Sequence, residues 1–291
     1  MDNTEVVGID LAKTVFHVFG MNKAGKETFR RKLSRCELLE FMVQCKTNRV
    51  VLEACSGSNY WAREFTKLGH KVSLIAAQYV KPYVKRNKND MKDAEAICEA
   101  AQRPTMRYVS VRSAENQDVM NLHRVRQRLV RSRTALVNEI RGLLIEYGVV
   151  IPRGRKTFHG KFLEVFHTEC SHLSELARET FQELWSEYLE VHMKVEKFDK
   201  KLERLTKENP VCQRLLTIPG VGVMTASAIV ATVSDASVFK NGREFAAWTG
   251  LTPREYSTGG KQNLYGISKR GDVYLRTLLV HGARVRLQHV H

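Results

Sequence analysis

The sequence predicts an α/β or mixed-sheet domain, then a long helical region, then a compact basic domain that is mostly α. Three observations predict this. Apolar runs and helix signals in the first ~105 residues follow the order β-β-β-α-β-α-β-α. Apolar residues then recur at helical spacing over a long stretch, and glycine turns separate short helices from Val211 onward. A chain of 291 residues also exceeds what one core usually holds, which favours more than one domain.

Five apolar runs in the first part predict strands. They are Val6–Asp10, Val15–Phe19, Glu27–Arg31, Arg49–Glu53 and Val72–Ala76. Ser34 and Glu37 form a capping box, so a helix is expected from there to about Gln44. After the break at 56–58, a second helix is expected to carry four apolar residues on one side, namely Tyr60, Trp61, Phe65 and Leu68. A third is expected to begin at Asp90, after a basic loop from Lys81 to Lys88, and to carry Asp93 and Ile97.

Two long helices are predicted in the middle, from about Ser113 to Tyr147 and from about Leu173 to Lys207, with a loop at 148–160. They favour an antiparallel coiled-coil arm. A plain helical spacer whose arginines form a solvated face fits the pattern equally well. The predicted domains are therefore 1–108, 109–208 and 209–291.

The charge points to a polyanionic partner. Lys and Arg number 47 against 31 Asp and Glu, which gives a net charge of +16. Nucleic acid is favoured over an anionic membrane surface, because no single amphipathic basic helix accounts for the excess. No apolar run is long enough to span a membrane, the N-terminus carries no secretory pattern, and the six cysteines form no CxxC pair. These features predict a cytoplasmic protein with reduced, mostly buried thiols and no membrane partner.

The acids that end strands are the first candidate chemistry. Asp10 and Glu53 each terminate an apolar strand, while Asp90 and Asp93 share one helix face. Four carboxylates at one place repel each other, and two divalent cations would offset that repulsion. Two such ions would also stabilise the attacking and the leaving oxygen when a phosphodiester bond is displaced. Mg²⁺ suits oxygen ligands, with Mn²⁺ as the alternative ion. The competing interpretation takes each acid singly as a surface charge or helix cap, and it explains Asp90 fully.

The stretch from Leu215 to Val233 contains a Pro-Gly-Val-Gly turn before an alanine-rich helix and resembles a helix-hairpin-helix element. Gly220 and Gly222 would let backbone N–H groups approach a phosphate, with the helix N-terminus adding a favourable dipole. An ordinary helical hairpin is the alternative. Phosphate binding is favoured because the last 41 residues hold seven Lys and Arg against two acids.

A hydroxyl-rich segment follows at 256–261, where Ser257 and Thr258 precede two glycines and Lys261. A hydroxyl in such a cationic setting is a candidate nucleophile on phosphorus, and a flexible loop whose hydroxyls cap helices is the alternative. The remaining candidate phosphate contacts are Lys261, Lys269, Arg270 and Arg276. No Ser-His-Asp arrangement is recognised, and His281, His289 and His291 show no metal-ligand spacing.

Several motifs together resemble a known family. They are VGIDLAK at 7–13, LEACSGS at 52–58, KNDMKDAEAI at 88–97, LLTIPGVGVMTASAIVATV at 215–233, and GLTPREYSTGGKQNLYGISKRGDVYLRTLL at 250–279. The chain resembles the insertion-sequence 110 transposases, closest to the 1111 subgroup, with the Piv-type DNA invertases as relatives.

The resemblance implies a RuvC-like, RNase H-like domain whose DEDD acids carry over to Asp10, Glu53, Asp90 and Asp93 and bind Mg²⁺. It also implies a C-terminal domain with a catalytic serine, placed here on Ser257 with Thr258 as the weaker candidate. Family members cut and rejoin DNA through a phosphoserine link, guided by a structured non-coding RNA. They assemble as dimers and tetramers, and the helical arm would be the assembly element.

The sequence therefore predicts a DNA transposase or recombinase that uses an acid cluster with Mg²⁺ and a serine nucleophile. Its expected partners are DNA, a guide RNA and further copies of the chain. Two alternatives stay open. One is a RuvC-like endonuclease that uses metal-activated water, and the other is an inactive nucleic-acid-binding remnant.

Overall fold

A computed structural model describes residues 3–47, 49–84 and 90–288. The chain divides into two compact units. The first comprises residues 1–114 with 233–238, and the second comprises residues 115–232 with 239–291. The helical middle and the C-terminal region belong to one compact unit. The division into domains 1–108, 109–208 and 209–291 stays a prediction.

The first unit is built on a six-stranded mixed sheet. Its strands are β1 Val6–Asp10, β2 Val15–Met21, β3 Glu27–Ser34, β4 Arg49–Glu53, β5 Lys71–Ile75 and β6 Tyr108–Val109. Their order is β3-β2-β1-β4-β5-β6. The pairs β1–β4 and β4–β5 are parallel, and the other neighbours are antiparallel. All five predicted strands are confirmed, while the two-residue β6 was too short for an apolar pattern to reveal.

In the described part of the chain, four helices flank this sheet. They are α1 Arg35–Gln44, α2 Ser58–Lys67, α3 Ala77–Val80 and α4 Asp90–Ala101, and a 3₁₀ turn at Lys81–Tyr83 follows α3. The capping box of Ser34 and Glu37 is confirmed at the start of α1. Part of the predicted basic loop, residues 85–88, lies outside the described residues.

The predicted apolar side of α2 is only partly buried. Trp61 and Phe65 are buried, but Tyr60 and Leu68 are each 40% exposed. Tyr60 lies about 100° around the helix from its neighbour Trp61, and Leu68 is the residue that caps the helix end. The four residues thus lie on one side of the helix, as predicted, but only Trp61 and Phe65 among them are buried.

Alternation along the strands builds a core on each face of the sheet. Val7 and Ile9 of β1 pack with α1 and α2, whereas Val6 packs with α3 and α4. Gly8 faces α4 at very close range. A Cβ added there would lie 2.6 Å from the carbonyl oxygen of Ala94 and 2.7 Å from Cys98 Sγ. The missing side chain at Gly8 thus lets α4 lie directly against β1.

The second unit is mainly helical. Its helices are α5 Ala114–Ile145, α6 Arg155–Thr168, α7 Glu175–Glu208, α8 Pro210–Leu216, α9 Val223–Thr232, α10 Gly242–Thr249 and α11 Val273–Gln288. A hairpin of β7 Pro253–Glu255 and β8 Leu264–Ile267 separates α10 from α11. The hairpin corrects the prediction of short helices throughout this region. It is nearly fully exposed, so no alternation of buried residues marked it.

Helix α6 begins inside the stretch predicted as a loop. Phe158, Phe162 and Phe166 recur every four residues, are buried, and fill the space between α5 and α7. The spacing was visible in the sequence, but the glycines and basic residues around it favoured a loop.

Helices α5 and α7 run antiparallel and pack side by side. The Arg126 guanidinium pairs with Asp199, and Arg133 Nη1 lies 3.2 Å from His192 Nδ1. Tyr147, just past α5, stacks edge-on against Phe181 near the start of α7. The residue numbers of the partners thus decrease along α7 as they increase along α5, which defines the antiparallel arrangement. The antiparallel pair is observed, and its description as a coiled-coil arm stays a prediction.

Among residues 3–47, 49–84 and 90–288, no helix combines the length and the apolar character that a membrane crossing requires. All six cysteines are free. Cys45, Cys98, Cys170 and Cys212 are buried, which confirms the prediction of mostly buried thiols, and their reduced state stays a prediction.

Candidate functional site

Two of the predicted acids lie side by side at one edge of the first unit's sheet. Strands β1 and β4 are parallel neighbours, and Ile9 is in register with Leu52. Asp10 and Glu53 are the next residues of these strands and end both of them. Because Gly8 and Val51 face α4, alternation places Asp10 and Glu53 on that same side of the sheet.

Helix α4 brings the other two acids to this edge. Asp90 and Asp93 lie in its first turn and therefore share one face. One carboxylate oxygen each of Asp10, Asp90 and Asp93 lies within 4.8 Å of the other two. Asp10 and Asp93 are half-buried and Asp90 is exposed, so the cluster opens to solvent. Asp10 meets two acids that lie far from it in sequence because α4 packs tightly on Gly8.

Glu53 lies beside this cluster but outside the tight group of three. Glu53 and Asp10 nevertheless both lie close enough to Cys55 to act electrostatically on its thiol. Partial desolvation of the Cys55 thiol raises its pKa, and the negative charges of Glu53 and Asp10 raise it further. The edge of the sheet is therefore strongly acidic, and a cation held there would offset the repulsion.

His17 adjoins the acids and was missed by the sequence reasoning. It pairs with Asp10 across β1 and β2, and its Nδ1 lies 4.0 Å from Asp90 Oδ2. The side chain is only 13% exposed. A signal was present in the sequence, since His17 is a single polar residue within the apolar run VFHVFGM of β2.

Ser257 lies on the exposed hairpin of the second unit, just past β7. Its Oγ donates a hydrogen bond to Glu255 Oε1 at 2.7 Å and accepts one from the backbone N–H of Asn263 at 3.3 Å. Thr258 bridges to Lys261 across the turn. Gly259 and Gly260 form this turn with φ of 56° and 78°, a left-handed pair that glycine adopts readily.

The predicted cationic contacts have different environments. Lys261, Lys269 and Arg270 are exposed, as a phosphate contact requires. Arg276 is only 8% exposed, and its Nη1 donates to the carbonyl oxygens of Thr249 and Gly271. The contacts of Arg276 therefore show a structural role, and its binding of nucleic acid stays a prediction.

The Pro-Gly-Val-Gly turn connects α8 to α9, as the sequence predicted for two helices joined by glycines. Gly220 packs closely against α11, where a Cβ on Gly220 would lie 2.9 Å from the carbonyl oxygen of Gly282. A Cβ on Gly222 would meet no atom within 4 Å in the described part of the chain. Gly222 is thus the more open of the two, and helix-hairpin-helix binding of phosphate stays a prediction.

Comparison with known proteins defines the class. Two family models match the chain, one described as Transposase over residues 7–149 and the other as Transposase IS116/IS110/IS902 family over residues 212–291. The first covers Asp10, Glu53, Asp90 and Asp93, and the second covers the hairpin with Ser257. Both units thus carry a transposase region.

Several relatives are similar over nearly the whole chain. A probable family 20 transposase of Pseudomonas aeruginosa is 49% identical over 97% of this chain and 84% of its own length. The transposase for insertion sequence element IS1111A of Coxiella burnetii is 44% identical over 100% of this chain and 80% of its own length. That of IS1328 from Yersinia enterocolitica is 42% identical over 99% and 85%. This chain belongs to the IS116/IS110/IS902 family of transposases.

The solved structure of T. thermophilus RuvC in complex with Holliday junction substrate matches 36% of this chain and 98% of that chain. The identity is 13% and the TM-score is 0.28, a likeness too slight to carry a functional argument.

Proposed function

We propose that this transposase cuts and rejoins DNA with a metal-binding acid cluster in its first unit and a serine nucleophile in its second. The observation that carries the proposal is the convergence of Asp10, Asp90 and Asp93 within 4.8 Å at the edge of the sheet. Family membership supplies the DNA substrate, and the net charge of +16 suits a polyanion.

The acid cluster fits a hard divalent cation. Its donors are carboxylate oxygens, which Mg²⁺ prefers, and Mn²⁺ is the alternative. Asp10, Asp90 and Asp93 would hold the ion, and Glu53 on the neighbouring strand would complete the set. When bound, the ion supplies electrostatic stabilisation of the negative charge that develops on the phosphodiester oxygens.

Ser257 would attack the phosphorus of a DNA phosphodiester. The exposed hairpin offers its Oγ to a large substrate, and Lys261, Lys269 and Arg270 would bind neighbouring phosphates. A serine link conserves the energy of the cleaved bond, so the same phosphate can be passed to another DNA end. Water attack does not conserve it, which separates a recombinase from an endonuclease.

Guidance by a structured RNA and assembly into dimers or tetramers complete the proposal, and both rest on the family resemblance. Exposed apolar side chains near the loop between α5 and α6, and at the start of α7, favour assembly through the arm. They are Leu176 at 75%, Val150 at 66% and Ile145 at 58% exposure.

Excision from a plasmid that carries the intact element tests the acid cluster, because the element itself supplies any RNA that the protein needs. We expect Asp93→Asn, which keeps the size of the side chain and removes its charge, to lower excision about 100-fold or more. The matched control is Glu99→Gln on the same helix, an acid paired with Arg103 away from the site. Equal excision by both variants would contradict a role for the acid cluster.

Ser257→Ala separates the proposal from its two rivals. The recombinase loses both excision and covalent protein–DNA adducts, while Mg²⁺-dependent nicking that persists in this variant favours a water-using endonuclease. An unsubstituted protein that binds DNA but neither nicks nor excises favours the binding remnant. Sequencing of RNA that co-purifies with the full chain tests the guide.

A further inference from the structure

We infer that Glu255 is the general base that activates Ser257. The inference rests on the proposed function, in which Ser257 is the attacking group, and it adds a catalytic residue that the acid cluster does not contain.

The hydrogen bonds around Ser257 Oγ orient it for attack. A serine hydroxyl has one proton and two lone pairs. The proton is directed at Glu255 Oε1 at 2.7 Å, and one lone pair accepts the backbone N–H of Asn263 at 3.3 Å. The second lone pair receives no hydrogen bond from the described residues, and it is the pair that a nucleophile needs.

The same geometry distinguishes Ser257 from Thr258. Side chains alternate along the hairpin arm, so Glu255 and Ser257 lie on one side and Thr258 on the other. Thr258 pairs with Lys261 through the backbone, since Lys261 N–H donates to Thr258 O at 3.1 Å. Among the described residues the Glu255 carboxylate is hydrogen-bonded to the hydroxyl of Ser257 and not to that of Thr258.

The hairpin is fixed firmly enough to keep base and nucleophile together. Tyr256 N–H donates to Asn263 O at 3.0 Å across the hairpin. This bond holds Asn263 opposite Tyr256, the residue between Glu255 and Ser257. At the base of the hairpin, Ser268 N–H donates to Thr252 O at 2.8 Å and Lys269 N–H donates to Gly250 O at 3.1 Å. Because these backbone hydrogen bonds hold the hairpin together, Glu255 and Ser257 stay at hydrogen-bonding distance from each other.

The step balances without any further reagent. Ser257 Oγ forms a bond to phosphorus as its proton passes to the Glu255 carboxylate. The bond from phosphorus to one sugar oxygen breaks, and that oxygen takes a proton from water. In the reverse step a DNA hydroxyl attacks the phosphorus and gives its own proton to the hydroxide that the first step left, while the protonated Glu255 returns its proton to the departing Ser257 oxygen, so water and the carboxylate are both regenerated.

A fluorophosphonate probe tests the inference with the full chain and needs no DNA or RNA. Attack by an activated serine expels fluoride and leaves a stable phosphonyl ester, whose rate of formation is followed by intact-protein mass and whose position is read by peptide mapping. We expect label on Ser257, and we expect Glu255→Gln to slow it tenfold or more, because general bases contribute about 100-fold or more. Glu187→Gln, an exposed acid on α7, is the matched control and should label at the unsubstituted rate.

Chemical rescue separates a proton acceptor from a structural contact. Added formate should restore labelling of Glu255→Ala at least partly, and it should do nothing for Ser257→Ala. The inference is overturned by a loss of less than tenfold in Glu255→Gln, by the absence of rescue, or by label that falls on Thr258 or not on the hairpin. If Ser257→Ala still excises the element in cells, the proposed function itself fails. If that variant is inactive while Glu255→Gln excises normally, the function stands and only the base is misassigned.

Discussion

Lys269 has a backbone conformation that lysine rarely adopts. Among the described non-glycine residues it is the one with a positive φ, at 57°. An L-residue in this left-handed region costs about 1 kcal/mol or more relative to glycine. The segment is held there because Lys269 N–H donates to Gly250 O, and Gly271 packs where a Cβ would lie 2.1 Å from Trp248 O. A strained, exposed lysine at the base of the hairpin that carries the candidate nucleophile fits a contact with phosphate.

Lys269→Gly is therefore expected to raise the free energy of unfolding by about 1 kcal/mol, because the strain is relieved. It should also reduce the slope of log affinity for duplex DNA against log salt by about one ion, because one phosphate contact is lost. Lys261→Gly is the control for stability: Lys261 has no positive φ, so this variant should lose a phosphate contact in the same way but gain no stability. Urea unfolding and salt-dependent filter binding measure the two effects. A destabilised Lys269→Gly would show that the conformation carries no strain.

At the scale of elements, the contact between β1 and α4 sets the candidate metal centre. Asp90 and Asp93 reach Asp10 only because α4 lies against Gly8. A methyl group at Gly8 would meet the sulfur of Cys98 and the backbone carbonyl of Ala94, and that carbonyl cannot move without shifting the helix.

Gly8→Ala should therefore lower the free energy of unfolding by about 1–3 kcal/mol, as overpacking of a core does. It should also weaken Mg²⁺ binding, measured by calorimetry, because the helix carrying two of the acids is displaced. Gly142→Ala is the matched control. It lies in α5 with no described atom within 4 Å of the added Cβ, and should stabilise the chain by about 0.5–1 kcal/mol. Unchanged Mg²⁺ affinity in Gly8→Ala would contradict the dependence of the site on this contact.

The elements also show what the sequence could predict. Strand ends, the Ser34 capping box and the pairing of Asp90 with Asp93 depend on neighbours in sequence, and all were predictable. The convergence of β1 with α4 depends on a glycine that packs against residues 86 and 90 positions away, which no local pattern reveals. The hydrogen bond from Ser257 to Glu255 needed the hairpin, and an exposed hairpin carries no burial pattern. His17 could have been singled out as a polar residue in an apolar strand.

At the scale of the whole second unit, a buried histidine ties three helices together. His123 of α5 is fully buried, with Nδ1 2.9 Å from the Tyr274 hydroxyl of α11 and Nε2 3.1 Å from Ser227 Oγ of α9. Ser227 already donates its proton to Val223 O at 2.7 Å, so it accepts from His123 Nε2–H. Nδ1 then accepts the Tyr274 proton, and the network is complete only while the imidazole is neutral.

Burial, together with the smaller effect of the nearby positive charge of Arg126, lowers the pKa of His123 to about 4. The unfolded chain, with a pKa of about 6.5, binds a proton more readily than the folded one, so stability rises with pH across this interval. The network's contribution is full above pH ~6.5 and is lost as pH falls toward ~4, by about 3 kcal/mol. His123→Gln removes the titration, and exposed His281→Gln is the control. Urea unfolding at pH 7, 5.5 and 4 measures the free energy of unfolding of the three proteins. As the pH falls, this free energy should decrease more steeply in the unsubstituted chain and in the control than in His123→Gln. Equal decreases in all three proteins would show that the acid sensitivity comes from other groups.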